Sequence, residues 1–137
     1  MTFVVDASVV LAWVFDDEAS PAADRVLERL EREQAIAPAH WPLEVANALR
    51  TAERRGRLRE DEIPRLRAML TSLPIEIVPV ELSTAIGVLD TARDHDLTAY
   101  DAAYLDLAFV RDVELATIDA RLRRACEAAG VGLVDVA

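Results

Sequence analysis

Lysine is absent from the 137 residues, so all 15 basic side chains are arginines. Without lysine the chain can form neither a Schiff base nor the lysine-bearing phosphate loop of nucleotide hydrolases, and no glycine-rich loop replaces it. A single cysteine, Cys126, excludes an internal disulfide and any cysteine-based zinc site, and fits a reducing compartment. Histidine is nearly as scarce. His40 and His95 stand at no zinc-ligand spacing, and His95 lies beside an expected helix end, where it complements the dipole. No Gly-x-Ser-x-Gly elbow marks a serine hydrolase. Residues 1–15 carry no basic segment and Asp6 interrupts their apolar run, so no signal peptide is expected. No apolar stretch approaches the ~20 residues that cross a bilayer. Together these absences predict a soluble cytoplasmic protein without membrane association.

The residues present favour a packed core. Hydrophobic side chains make up 53% and charged ones 29%, which excludes disorder and low complexity. The length predicts a single domain over residues 1–137, able to bury ~65–70% of its unfolded surface without disulfide or structural metal. Twenty-five acidic residues against 15 basic ones give a net charge of −10, which opposes nucleic-acid binding by the average field. The distribution is uneven, however. Between Arg50 and Arg67, seven arginines (Arg50, Arg54, Arg55, Arg57, Arg59, Arg65, Arg67) meet four acids (Glu53, Glu60, Asp61, Glu62), a local +3. That stretch reads either as two solvated helix faces with partial internal pairing or as a local wall for phosphate, whose oxygens suit guanidinium forks.

Phe3-Val4-Val5-Asp6 reads as a buried central strand of a parallel sheet, and Ala7 to Phe15 as a helix closed by the acidic Asp16-Asp17-Glu18. Ser20-Pro21 starts a second helix, expected to reach Glu33 with Ala23, Val26, Leu27 and Leu30 inward. Ala35-Ile36-Ala37 is a short strand. Pro42 opens a helix that stops at Gly56, and another spans Glu60 to Ser72. Ile75 to Val78 is a strand, Ser83 is expected to cap a helix to His95, and Thr98 another to Arg111. Glu114 to Thr117 is a strand, Asp119 starts a helix ending at Gly130, and Val131 to Val136 is a final strand. Strands alternating with helices require crossover connections. The fold class is therefore α/β, a three-layer α/β/α sandwich with a mainly parallel central sheet.

Open parallel sheets receive ligands beyond the carboxyl ends of their strands. Asp6 and Asp119 fall at such ends, while Asp101 and Glu44 fall in the first turns of helices that begin at the same edge. Each acid alone has an ordinary explanation. Asp119 is an N-cap, Asp101 completes a Thr98-x-x-Asp101 capping box, Glu44 complements a helix dipole, and Asp6 caps the first helix. Four at one edge point further, because clustered carboxylates repel and must hold protons or a cation. Mg²⁺ or Mn²⁺ favours such oxygen ligands and supports phosphate chemistry. Ser8, Asn47 and Thr117 lie two or three residues from these acids and fit supporting roles or plain capping. Glu44, Asn47, Thr51 and Arg55 share one helix face.

Four segments also match a known family in order. Val4-Val5-Asp6-Ala7-Ser8 resembles the opening motif of PIN domains, particularly the VapC-type toxins of bacterial toxin–antitoxin pairs. Pro42-Leu43-Glu44-Val45-Ala46-Asn47-Ala48-Leu49 is similar to the second motif. Leu97-Thr98-Ala99-Tyr100-Asp101-Ala102-Ala103-Tyr104 resembles the third and Leu115-Ala116-Thr117-Ile118-Asp119 the fourth. The resemblance implies a metal-dependent endoribonuclease, typically a homodimer, with Asp6, Glu44, Asp101 and Asp119 holding Mg²⁺ or Mn²⁺. It also implies a small VapB-type antitoxin whose C-terminal segment blocks the cleft. Trp13 and Phe15 would then line that groove or the dimer face, or simply pack in the core.

The expected activity is hydrolysis of single-stranded RNA, with Arg50, Arg54, Arg55 and Arg57 orienting the backbone. Two other readings fit the same residues. One is a metal-binding or partner-binding module without nuclease activity; its receiver-like form would need a lysine after the fifth strand. The other is a small Mg²⁺-dependent phosphatase, which would need Asp-x-Asp after the first strand, where Ser8 holds the second position.

Overall fold

Phe3, Val4 and Val5 are all fully buried, so both faces of the first strand are covered, as a central parallel strand requires. In the computed structural model, which describes residues 1–15 and 20–134, this strand is β1 (Thr2–Val5). It is followed by α1 (Ala7–Val14), α2 (Pro21–Arg29), β2 (Gln34–Pro38) and α3 (Trp41–Arg54). A 3₁₀ turn at Glu60–Glu62 leads into α4 (Ile63–Thr71). Then come β3 (Ile75–Val78), α5 (Leu82–His95), α6 (Ala99–Arg111), β4 (Glu114–Ala116) and α7 (Ala120–Ala129). All strand pairs are parallel, in the order β3-β2-β1-β4.

That order positions the site. The chain runs outward from β1 to β2 and β3, then returns to lay β4 on the other side of β1. The reversal makes the carboxyl ends of β1 and β4 a topological switch point, where adjacent connections diverge and leave a crevice. The Asp6 amide donates to the Ala116 carbonyl at 3.0 Å, so the β1–β4 pairing continues to the first residue of the crevice. Helices flank the sheet. α6 lies along β1, β2 and β4 with α5 and α7 beside it, while α1 packs with α2 and α3. The main core joins Phe3, Ile36, Leu105, Leu115 and Leu122. A second cluster of Phe15, Ala52, Leu58 and Leu66 ties the end of α1 to α3 and α4.

Several expectations need correction. Ser83 does not cap α5. Glu81 occupies the N-cap position and Ser83 lies inside the first turn, because the backbone becomes helical at Leu82. α2 ends at Arg29 rather than Glu33, and Leu27 faces outward, 39% exposed, because the inner stripe falls on Ala22, Ala23 and Val26. The Glu60–Ser72 helix begins as a separate 3₁₀ turn, since Pro64 lies in the first turn of α4 and cannot donate a helical hydrogen bond. Of the final strand, the described residues form only a parallel bridge between Leu133 and Leu115; residues 135 and 136 lie outside them. Asp16, Asp17 and Glu18 also lie outside. Phe15 is the C-cap of α1 and is buried in the second cluster, while the partly buried Trp13 packs against the main core and donates its indole N–H to the Ala23 carbonyl at 2.7 Å. Cys126 is buried in α7, its thiol pushed up to about 11 chiefly by burial, so it packs as a core residue.

Candidate active site

Asp6 follows β1 directly and takes the N-cap position of α1, but its carboxylate makes no capping bond. It is 6% exposed, and its Oδ2 accepts two short hydrogen bonds instead, from Ser8 Oγ and Thr117 Oγ1, both at 2.7 Å. Thr117 is fully buried just beyond β4. Its hydroxyl also accepts from the Asp119 amide at 3.1 Å, and its carbonyl accepts from Arg123 Nη1 at 2.9 Å. Ser8 Oγ in turn accepts from the Ile118 amide at 3.3 Å. Two neighbouring strand ends are thus stitched through one carboxylate oxygen.

Asp119 and Asp101 belong to helix starts. Asp119 Oδ1 accepts from the Leu122 amide at 3.0 Å and caps α7. Thr98 Oγ1 accepts from the Asp101 amide at 3.2 Å and caps α6, and the Thr98 side chain also acts on the Asp101 carboxylate. Glu44, in the first turn of α3, is held from the side. Tyr104 Oη donates to its Oε1 at 2.6 Å, and His40 Nε2 lies 3.0 Å from the same oxygen. The imidazole also packs against the Tyr104 and Tyr100 rings, with centroids 5.2 and 5.3 Å away.

Asp6 and Asp101 both lie in the fields of neighbouring carboxylates. Burial pushes the Asp6 carboxyl above the usual range despite the Thr117 and Ser8 hydrogen bonds, and the negative fields of Glu44 and Asp101 push it further. Asp101 is raised by burial and by the fields of Asp119 and Glu44. Glu44 moves the other way. Burial raises it, but the neighbouring His40 and the Tyr104 hydroxyl outweigh that and hold it below the usual range. Tyr104 is shifted strongly upward by burial, by its bond to Glu44 and by the Asp6 and Glu44 charges, so its hydroxyl remains a donor throughout the working range. Among the described residues, no three carboxylate, imidazole or thiol groups enclose a cation by themselves. The donor set is hard oxygen under mutual repulsion, and an open shell completed by water is how Mg²⁺ usually binds, so these residues suit such an ion.

The structure therefore brings Asp6, Glu44, Asp101 and Asp119 into one electrostatic neighbourhood, with Ser8 and Thr117 bonded to Asp6. Asn47 stays exposed on α3, one turn beyond Glu44. Arg50, Arg54 and Arg55 are exposed on the same helix and its cap; Arg50 lies 3.8 Å from Glu53. Arg57 stacks its guanidinium over the Phe15 ring at 4.5 Å. Further along, Arg59 pairs with Asp61 and Glu62, so part of the basic stretch is internally matched. Two contacts of Glu44 escaped the sequence reading. His40 was signalled by its i, i+4 spacing to Glu44. Tyr104 lies 60 positions from its partner, and no local pattern announces it.

A parallel α/β domain with interacting carboxylates at its switch point, and no phosphate loop or hydrolase elbow, defines a class of acid-cleft proteins suited to phosphate chemistry. Within that class the chain belongs to the PIN domain family, whose model matches residues 3–128. Ribonuclease VapC3 of Pyrobaculum aerophilum is 34% identical to it over 126 residues, covering 89% of this chain and 92% of that protein. The crystal structure of PAE2754 from Pyrobaculum aerophilum matches with a TM-score of 0.70 at 26% identity, covering 99% of this chain and 92% of that one. A toxin–antitoxin complex from Klebsiella pneumoniae shares the fold at 18% identity, with a TM-score of 0.60 and 85% of each chain covered.

Proposed function

We propose that this chain is a Mg²⁺- or Mn²⁺-dependent endoribonuclease toxin that hydrolyses phosphodiester bonds of single-stranded RNA and is restrained by a VapB-type antitoxin. The observation that carries this reading is Asp6 fixed by Ser8 and Thr117 at the β1/β4 switch point, with the charges of Glu44 and Asp101 acting on it. The likeness to a ribonuclease supports the choice of RNA over a phosphomonoester.

Asp6, Glu44, Asp101 and Asp119 would hold the ion. The chemistry it supplies when bound is polarisation of the phosphoryl oxygens and a lowered pKa for water. The protein's own part is placement. Ser8 and Thr117 fix Asp6 through Oδ2, and the Asp119 amide locks the Thr117 hydroxyl in the donating orientation that Asp6 needs. Asn47 offers an amide to the RNA beside Glu44. Arg54 and Arg55 lie roughly 15 Å further along α3, at 1.5 Å per residue, where guanidinium groups meet the backbone upstream or downstream of the scissile phosphate. Arg50 and Arg57 complete that wall. The bond formed is from water oxygen to phosphorus, and the bond broken is from phosphorus to the leaving ribose oxygen.

A groove of about 600 Å³ borders the cleft at His40 and carries the exposed side chains Leu43, Val80 and Val110. It supports partner binding, by the antitoxin or by a second copy in a homodimer. Cleavage of total RNA by the purified protein, with Mg²⁺ or Mn²⁺ against EDTA and beside Asp6→Asn, tests the reading. Discrete metal-dependent fragments that vanish in the variant are expected. Equal cleavage by Asp6→Asn overturns it.

A further inference from the structure

We propose that Tyr104 is a positioning residue for the acid cleft: its hydroxyl occupies Glu44 Oε1, so that Oε2 is the oxygen presented to a cation. The inference rests on the nuclease reading above and deepens it. Tyr104 is fully buried on α6, one turn after Asp101, and reaches across to α3 with a 2.6 Å hydrogen bond. A tyrosine whose only task was to fill the core would be matched by phenylalanine. Here the hydroxyl accepts from the Ala7 backbone at the start of α1 and donates to a carboxylate that is itself about a third exposed and has water available. The bond therefore does little to satisfy a stranded acceptor and much to select one rotamer of a flexible glutamate.

The neighbourhood explains why Glu44 needs such a clamp. Asp6 is fixed by two strand-end hydroxyls and Asp119 by its capping bond, both close to rigid backbone. Glu44 reaches the same cleft on a longer side chain from a helix. His40 Nε2 lies 3.0 Å from Oε1, with its ring edge-on to Tyr104. Hydrogen bonds that orient a metal-binding carboxylate typically change metal affinity or activity by about 10–100-fold when lost.

The test is calorimetric titration of Mn²⁺ alone into wild type, Tyr104→Phe, Glu44→Gln and the double variant, with RNA cleavage measured alongside. Expected are a Mn²⁺ affinity about 10-fold or more weaker in Tyr104→Phe, a lower kcat with KM for RNA little changed, and no further loss when Tyr104→Phe is added to Glu44→Gln. If Glu44→Gln loses Mn²⁺ while Tyr104→Phe binds and cleaves as wild type, the positioning role is overturned and the nuclease reading stands. If wild type neither binds Mn²⁺ nor cleaves RNA, both fall. Should Tyr104→Phe not fold, 3-fluorotyrosine labelling serves instead. The chain has only two tyrosines, and the buried Tyr104 fluorine signal is expected to shift on Mg²⁺ addition in wild type but not in Glu44→Gln. A Tyr104 signal that stays put while Mg²⁺ binds overturns the proposal.

Discussion

Asp6 and Glu44 are each contacted by two neighbours on a single carboxylate oxygen, yet their proton affinities move in opposite directions. The difference is burial. Asp6 sits at the closed end of a parallel sheet, where loss of water outweighs two neutral hydroxyl donors. Glu44 stands on the first turn of a helix, open enough that Tyr104 and His40 prevail. The cleft thus pairs a carboxylate that resists ionisation with one that favours it.

The largest effect is expected for Asp6→Asn. It keeps shape and removes charge, so RNA cleavage is expected to fall beyond the roughly 100-fold associated with supporting residues. Its thermal midpoint, followed by circular dichroism, should hold or rise, because a buried charge and its repulsion from Glu44 and Asp101 are gone. Thr117→Val comes next. The hydroxyl is fully buried and serves both Asp6 and the Asp119 amide, so urea unfolding should show a loss of about 1–3 kcal/mol. A loss indistinguishable from zero would mean that water replaces the hydroxyl and that the strand ends are not held through it.

Stability against pH sharpens the contrast in metal-free buffer. Asp6 binds its proton more tightly folded than unfolded, so its contribution is full below its ordinary value of 3.8 and is lost as pH rises through the higher folded value. Glu44 behaves in reverse. Its contribution is full above its ordinary value of 4.5 and is lost as pH falls through the lower folded value. Relative to wild type, Asp6→Asn should therefore gain stability as pH rises from the acid side, and Glu44→Gln should lose it. Parallel curves for the two variants in urea titrations would contradict the assignment.

The smallest effect belongs to the exposed arginines. Arg54→Ala with Arg55→Ala should change unfolding free energy by no more than about 0.5 kcal/mol. If both meet phosphates, the slope of log affinity for a non-cleaved RNA against log salt should drop by ~0.7 for each contact removed. An unchanged slope would return these side chains to the role of a solvated helix face.

Sheet, helices and the acid edge were legible in the sequence because each has a local cause. β-branched runs marked β1 and β3, Ser20 and Thr98 marked helix starts with their hydroxyls, and four motifs in order marked the family. Boundaries that depend on competition between neighbours were not. Ser83 looked like a cap, but a hydroxyl near a helix start caps only if the backbone is still extended there, and the helix had already begun at Leu82. Leu27 fits an inward stripe by spacing, but the buried stripe of α2 falls on Ala22, Ala23 and Val26, which leaves Leu27 outside it.

By itself the sequence determined the chemistry on offer: acids without lysine, almost no thiol or imidazole, and hydrophobic periods that allow a parallel sheet. Tertiary structure alone decided what those acids became. Strand order β3-β2-β1-β4 set Asp6 beside Thr117, separated by 111 positions, and the folded chain brought Tyr104 on α6 to Glu44 on α3 across 60. Proton affinity and side-chain orientation depend on burial and on partners brought from a distance, and neither exists until the chain has closed around them.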